Sequence, residues 1–202
     1  MNQELMQKLR IRELLENWVL WRDQGAWERF RTCWHPGARM LATWFDGPAE
    51  RFIEVSRQAF DRGITILHSL GGSSIDLAQD RAVAQTKMTI SQRAAVEGVV
   101  CDVVCTGRFY DLLEERDGRW GIVLRRCIYD KDRIDPVESG ARLALDAALL
   151  GAFPEGYRHL AYVQSKVGFQ VRTDLPSLRG PAVDRVYVIG AAWLARQPME
   201  TQ

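Results

Sequence analysis

The sequence has almost no net charge and no long hydrophobic run. Its 27 basic and 26 acidic residues leave a formal net charge of +1, and the two signs are interspersed rather than gathered into a basic stripe. We therefore expect no nucleic-acid partner, because nucleic acids attract concentrated positive charge. No stretch approaches the roughly 20 apolar residues of a membrane span, and the polar start of the chain lacks the apolar segment of a signal peptide. We expect a cytoplasmic protein with no membrane partner.

Histidine and cysteine are too few, and too poorly spaced, to indicate a metal centre or a disulfide framework. Cys101 and Cys105 lie four residues apart in a predicted strand, which separates their Cα atoms by roughly 13 Å, too far for a disulfide bond. The four cysteines are expected to be free thiols in a reducing compartment. No two of the three histidines have metal-ligand spacing with a carboxylate, so we predict no metal site.

The first part of the chain shows the hydrophobic periodicity of helices. At 202 residues, 47% hydrophobic and 26% charged, the chain has enough material for one full core and little for a second. Gly63 is expected to end the third helix, and Asp46 is a candidate cap at its start. Pro36-Gly37 predicts a turn before the first strand. In chain order we predict helices over 3–22 and 26–33, a strand over 39–45 and a helix over 46–63.

From residue 65 the periodicity changes to that of strands. Gly71-Gly72 predicts a bulge or bend within a strand, and Asp117-Gly118 is the strongest hairpin signal in the chain. Strands are predicted over 65–77, 82–92, 98–113 and 120–129. Helices followed by an antiparallel meander indicate an α+β fold, with the N-terminal helices packed inside a curved, mostly antiparallel sheet.

The residues after 136 give weaker patterns. Helices are expected over 138–150 and 155–167, and a short apolar element over 185–195. There is no repeat or long linker, so we predict one domain over residues 1–136 and a C-terminal helical extension over 137–202 packed on the same domain.

This order of elements resembles the nuclear transport factor 2-like superfamily and, within it, the SnoaL-like branch. The matching pieces are Ile11-Arg12-Glu13-Leu14-Leu15 leading to Trp21-Arg22-Asp23, the run 30–40, His68 opening a strand, and the hairpin 115–120. The branch includes scytalone dehydratase, hexachlorocyclohexane dehydrochlorinase and small polyketide cyclases. The resemblance covers about residues 8–136, and it implies a cone-shaped α+β barrel around an apolar pocket.

In lyase members of this branch, an Asp at the end of the first helix pairs with a His at the start of the second strand. The resemblance therefore implies that Asp23 and His68 are catalytic, with the imidazole as general base and the carboxylate as its orienter. Each residue also has a structural alternative, since Asp23-Gln24-Gly25 suits a helix end and a strand histidine is often a satisfied core group. His35, placed in a loop, and His159, on a tail helix, are weaker candidates.

The resemblance also implies which side chains line the pocket and bind substrate: Trp18, Met40, Phe109, Arg125 and Tyr129. Strand alternation places Arg125 on one face with Val123, Cys127 and Tyr129. An arginine at the matching place of the dehydrochlorinase faces the leaving group, but a salt bridge on the outer face of the sheet explains Arg125 equally well. Tyr129 either donates a proton to a substrate oxygen or simply packs.

The function implied by the resemblance is that of a cofactor-free lyase or isomerase acting on a hydrophobic cyclic small molecule. With His68 as the single histidine expected in the strands, one-base elimination or isomerisation is favoured over a mechanism that needs two imidazoles. The alternative is a non-catalytic small-molecule-binding or scaffold protein of the same fold. A homo-oligomer, dimer or trimer, is expected by analogy with the family.

Overall fold

The structure, a computed structural model, describes residues 3–198 and contains six helices and six strands within that range. The helices are α1 (Gln3–Asp23), α2 (Trp27–Arg31), α3 (Ala49–Asp61), α4 (Ala147–Gly151), α5 (Arg158–Lys166) and α6 (Pro181–Leu194). The strands are β1 (Trp34–Ala42), β2 (Phe45–Pro48), β3 (Ile66–Ala78), β4 (Arg81–Val96), β5 (Val99–Arg116) and β6 (Arg119–Pro136).

All six strands form one curved sheet in the order β2-β1-β6-β5-β4-β3. The meander from β3 to β6 is antiparallel throughout, and β1 joins it by pairing in parallel with β6. The α+β class and the N-terminal helices are confirmed. The sheet is open rather than a closed barrel, because β2 and β3 remain as its two edges.

Two local predictions in the sheet are confirmed. Arg116 pairs with Arg119 across the Asp117-Gly118 turn, whose residues have φ values of +51° and +74°. Positive φ at both central positions belongs to the tight turn that suits the twist of a hairpin. The register of β3 against β4 shifts between Leu70 and Ser73, where Gly71-Gly72 was expected to form a bulge.

The main core lies inside the curve of the sheet. Helix α1 buries Ile11, Leu15, Trp18 and Arg22, which recur at three- and four-residue steps and so face the sheet. The indole of Trp18 is the centre of an aromatic cluster, with ring centroids 5.1 Å from Phe30, 6.2 Å from Phe52 and 5.4 Å from Phe109. This packing fixes the end of α1 against the strands, and Asp23 is its last residue.

The predicted turn at Pro36-Gly37 is wrong, because β1 runs through it. Gly37 has φ +80°, and the pairing of β1 with β6 is irregular between Trp34 and Arg39. Pro36-Gly37 therefore forms an irregularity within the strand rather than a turn before it. His35, expected in a loop, is therefore a buried strand residue.

Asp46 does not cap α3. It lies in β2, which forms a hairpin with β1, and its carboxylate pairs with Arg39 at 2.8 Å and with Arg172. Pro48 occupies the position before α3, without a side-chain cap. The strand predicted over 39–45 is therefore two strands with a turn at Thr43-Trp44.

The C-terminal residues contain less helix than predicted before residue 147. Residues 141–146 are non-helical, and only α4 forms at the end of the predicted helix over 138–150. Asp146 caps α4 by accepting hydrogen bonds from the amides of Ala148 and Leu149. Helix α5 packs against the inner core, whereas α6 covers the outer face of the sheet, where the Trp193 indole donates to the Leu113 carbonyl at 3.2 Å. Within residues 3–198, no helix is long and apolar enough to cross a membrane.

Candidate functional site

A small cavity lies inside the curve of the sheet, where the end of α1, the start of β3 and helix α5 meet. Its volume is about 30 Å³, which is room for about two water molecules. The walls are mainly aromatic and aliphatic, and a few polar side chains reach them. The lining includes Trp18, Arg22, Met40, Phe52, His68, Gln92, Phe109, Tyr129, Leu160 and Gln164.

Asp23 and His68 are in direct contact at the wall of this cavity. The Asp23 Oδ1 lies 2.8 Å from His68 Nδ1, and the backbone amide of His68 donates to Asp23 Oδ2 at 2.6 Å. The two side chains are 13% and 7% exposed. Both carboxylate oxygens are therefore engaged by one residue, which fixes the imidazole in position and in orientation.

The contact also determines which ring nitrogen is left without a protein partner. An ionised carboxylate only accepts hydrogen bonds, so Nδ1 of His68 carries the proton and Nε2 keeps its lone pair. Nε2 has no hydrogen-bond partner among residues 3–198. The ring lies against Trp18, with centroids 5.6 Å apart, and against Phe109, with centroids 6.1 Å apart. The arrangement is that of an imidazole held in one orientation against aromatic rings.

Burial lowers the pKa of His68 below its usual value of 6.5. The hydrogen bond that His68 donates to Asp23 opposes that shift, whereas the positive charges of Arg22 and Arg125 add to it. At neutral pH the imidazole is therefore uncharged and able to accept a proton. Asp23 partly restores the basicity that burial removes.

Arg22 is the charged neighbour of this pair. Its guanidinium Nη1 lies 3.4 Å from Asp23 Oδ1 and 3.2 Å from the carbonyl oxygen of Ile66, and its Nε is buried without a partner. Burial lowers the pKa of Arg22, and the charge of Asp23 opposes that shift. Arg22 thus presents one unused donor at the cavity wall. Its position beside Asp23 is the only sequence signal that could have indicated this role.

Four of the five predicted pocket residues line the cavity: Trp18, Met40, Phe109 and Tyr129. The Tyr129 hydroxyl accepts a hydrogen bond from the Thr43 amide at 3.2 Å. Burial holds the pKa of Tyr129 well above its usual value of 10, so the phenol remains a neutral donor.

Arg125 lies one layer behind the cavity. Its guanidinium is fully buried between the rings of Trp18 and Phe109, with Cζ 4.1 Å from each ring centroid. Asp111 on β5 binds it through both oxygens, at 2.6 and 2.9 Å. Burial raises the pKa of Asp111, and the Arg125 charge opposes that shift. The anionic partner of Arg125 is therefore a carboxylate of the chain itself, on the inner face of the sheet, and the outer-face alternative is wrong.

Two glutamines that the sequence analysis did not consider also reach the cavity. Gln92 on β4 is 6% exposed and Gln164 on α5 is 5% exposed. Neither side chain has a hydrogen-bond partner in the described part of the chain, and Oε1 of Gln164 is fully buried. Buried amides without partners are costly. Both side chains lie at the cavity wall.

A second carboxylate–histidine pair lies away from the cavity, at the start of α5. Asp132 Oδ1 is 2.8 Å from His159 Nδ1, and Asp132 Oδ2 accepts from the Leu160 amide at 2.8 Å. This pair fastens α5 to β6. It matches Asp23–His68 in geometry, but neither Asp132 nor His159 lines the cavity at His68. His35, in contrast, is held by the Glu114 carbonyl oxygen and Arg119 at 2.9 and 3.1 Å.

Comparison with known proteins finds relatives of this chain both by sequence and by fold. The chain is 36% identical to Pea pathogenicity protein 2 of Fusarium vanettenii, over 96% of this chain and 88% of that protein. Among solved structures, a putative scytalone dehydratase from Novosphingobium aromaticivorans superposes with a TM-score of 0.57 at 13% identity, covering 71% of this chain and 97% of the other.

A type 2 hexachlorocyclohexane dehydrochlorinase gives the same TM-score of 0.57 at 14% identity and the same coverage of the two chains. At these identities the structural neighbours establish the fold. The sequence pattern of the SnoaL-like domain matches residues 3–126, and this range contains Asp23, His68 and most of the cavity wall. The chain belongs to the SnoaL-like domain family.

Proposed function

We propose that this chain is a cofactor-free lyase or isomerase in which His68 is the general base and Asp23 orients it. The observation that carries the proposal is the double engagement of the Asp23 carboxylate, which leaves Nε2 as the unpartnered ring nitrogen of a histidine that lines the cavity. In His35, by contrast, protein groups engage both ring nitrogens, as suits a purely structural role.

In the proposed reaction, Nε2 of His68 removes a proton from a carbon of the substrate. The electrons of the broken C–H bond form a new double bond, and a leaving group departs with its own electron pair. In an isomerisation the proton instead returns to another carbon. The imidazolium formed is stabilised by Asp23, and positioned general-base catalysis of this kind contributes about 10²–10⁴-fold.

The cavity wall supports a cyclic substrate that is largely apolar but carries oxygen atoms. Trp18, Phe52 and Phe109 offer ring faces and edges. Gln164 offers an unpartnered acceptor and Arg22 an unpartnered donor. A purely hydrocarbon ring would leave those buried groups unsatisfied, so hydroxyl or carbonyl substituents complete the site.

A cavity of about 30 Å³ is far too small for such a ring. We propose that α5, which contributes Leu160 and Gln164 to the wall, moves outward when substrate enters. On this proposal, residues 137–202 are an extension packed on the domain formed by 1–136, and its helix α5 covers the site, whereas α6 packs on the outer face of the sheet.

The relatives support elimination as the reaction class. The names of the two solved neighbours describe a dehydratase and a dehydrochlorinase, which both remove a small molecule from an organic ring or chain.

The alternative, a non-catalytic binding or scaffold protein, is favoured by the small cavity. The β-subunit of a putative aromatic-ring-hydroxylating dioxygenase also shares the fold, with a TM-score of 0.54 at 15% identity. A homo-oligomer and a cytoplasmic location remain proposals; the four free cysteines are compatible with a reducing compartment.

The test measures the removal of a proton from carbon, so it does not depend on which group leaves. Cyclic ketones and β-hydroxy or β-halo cyclic ketones are incubated with the protein in D₂O, and exchange at the α-carbon and elimination are followed by NMR. We expect a member of the panel to react, and His68→Gln to slow it by about 10²–10⁴-fold. His35→Gln, which removes a buried histidine whose two ring nitrogens are engaged by protein groups away from the cavity, is the control and should react as the wild type does. Equal rates in His68→Gln and wild type would exclude the base role, and binding without any reaction would favour the non-catalytic binding alternative.

A further inference from the structure

A second cavity lies on the outer side of the sheet, between strands β1 and β6 and the segment 172–186. Its volume is about 90 Å³, compared with about 30 Å³ for the cavity at His68. Leu41, Arg126 and residues of the C-terminal extension line it. It shares no charged residue with the site described above.

Three arginines line this outer cavity, and two of them have no partner. Arg172 is bound by Asp174 at 2.9 and 2.7 Å and pairs with Asp46. The side chains of Arg126 and Arg185, in contrast, make no hydrogen bond or ion pair within residues 3–198, and Nε of Arg126 is fully buried. A buried guanidinium donor without an acceptor is costly, so an acceptor is missing from the cavity.

The charges facing the cavity leave an excess of about two positive units. The lining holds Arg126, Arg172 and Arg185 against Asp174, which is three positive charges and one negative. The nearby pair of Arg39 and Asp46, 2.8 Å apart, adds one charge of each sign and leaves the balance unchanged. This excess matches the charge of −1.5 to −2 that a phosphate group carries near pH 7.

The start of α6 reinforces the positive potential. Ala182, in the first turn of this 14-residue helix, lines the cavity, and Gly180 provides no side-chain cap. Pro181 has no amide N–H, and the amides of Val183 and Asp184 donate to the Gly180 carbonyl oxygen. The Ala182 amide and the helix dipole therefore favour an anion here, and the exposed acidic side chain of Asp184 in the same turn opposes them. Burial lowers the pKa of Arg126, and the charges of Arg172 and Arg39 lower it further against the opposing charge of Asp46.

We propose that this outer cavity binds a phosphate group, with Arg126, Arg172 and Arg185 as its ligands and the α6 N-terminus as an additional donor. Guanidinium groups hold such oxyanions through charge-assisted, often bidentate hydrogen bonds. The phosphate belongs either to the free ion or to a small phosphate monoester. The site is independent of the proposed chemistry at His68.

Isothermal titration of the full chain with inorganic phosphate, at ionic strength matched with chloride, tests the proposal. We expect saturable 1:1 binding that weakens at least 10-fold in Arg126→Gln and in Arg185→Ala. Arg185 is exposed, so its variant should fold normally and keeps the test valid if Arg126→Gln unfolds. Arg133→Gln, on the same strand but outside the cavity and 72% exposed, is the control and should bind as the wild type does.

A parallel titration with phenyl phosphate identifies the source of the phosphate, because tighter binding than that of the free ion indicates a monoester and weaker binding indicates the ion itself. Heat no greater than that from chloride, or unchanged affinity in both Arg126→Gln and Arg185→Ala, would overturn the proposal.

Discussion

The buried ion pair between Asp111 and Arg125 gives the sharpest stability prediction. Both side chains are 0% exposed and are joined by two hydrogen bonds, at 2.6 and 2.9 Å. Removing one partner leaves the other charge buried and unpaired, which costs about 3–5 kcal/mol. We therefore expect Asp111→Leu and Arg125→Met each to lose about that much free energy of unfolding. For a chain of this length the loss corresponds to a Tm lower by roughly 6–20 °C.

The double variant distinguishes a coupled pair from two independent contacts. Asp111→Leu/Arg125→Met removes both charges and fills the space with apolar atoms, so its loss should be far below the sum of the single losses. Urea denaturation at pH 7 measures all three variants. Asp135→Asn, which breaks the exposed pair of Arg133 and Asp135, is the control and should change stability by less than about 1 kcal/mol. Single losses below 1 kcal/mol, or losses that simply add, would refute the reasoning.

Three further predictions concern other parts of the fold. Gly190→Ala should cost about 1–3 kcal/mol in urea denaturation and expose α6 to proteolysis, because its Cβ would lie 1.9 Å from the Tyr110 hydroxyl. The free energy of unfolding should decline as the pH falls below about 6.5. The pKa of His68 is lowered in the folded state, so the folded state binds this proton less readily than the unfolded state. His68→Gln should therefore reduce the dependence of stability on pH between pH 7 and 5. Asp132→Asn should cost about 1–3 kcal/mol and increase amide hydrogen exchange at the start of α5, since the Asp132 carboxylate accepts from the Leu160 amide.

Sequence patterns predicted correctly those elements whose geometry depends on residues close together in the chain. The periodicity of α1 and the Asp117-Gly118 turn each depend on residues adjacent in sequence, and both are found where they were expected. The turn predicted at Pro36-Gly37 did not form, because the pairing of β1 with β6 outweighed the local preference for a turn. Residues 141–146 failed as a helix because their apolar residues Leu143 and Leu145 pack against the core from an extended chain.

The sequence did not indicate that Asp111 pairs with Arg125, because a bulge in the strand pairing brings the two residues opposite one another. Counting back from the pair of Arg116 and Arg119 without a bulge places Asp111 opposite Leu124, and Arg125 would then face the other side of the sheet. In the structure the register shifts between Leu112 and Leu113, so Asp111 lies opposite Arg125. The same shift moves Val123 to the outer core, which corrects the prediction that it shares a face with Arg125. Alternation alone cannot locate such an extra residue.

The candidate site was predictable only as far as the family resemblance reaches. Asp23 and His68 lie 45 residues apart, and no spacing rule joins them; the resemblance placed them together. Gln164 lies beyond the family pattern, which ends at residue 126, and its role depends on how α5 docks. Gln92 occupies a strand position that suits packing and binding equally. Tertiary contacts of this kind leave no periodic signal.

The most direct test of the central claim is the ¹⁵N NMR titration of the His68 ring in wild type and in Asp23→Asn. The account predicts a neutral ring protonated on Nδ1 at pH 7, with a pKa below the usual 6.5. In Asp23→Asn that pKa should fall further, since the carboxylate that raises it is gone, whereas the control Asp135→Asn, in an exposed ion pair, should leave it unchanged. A ring protonated on Nε2, or a His68 pKa that is the same with and without the Asp23 carboxylate, would contradict the claim that Asp23 holds His68 as a base.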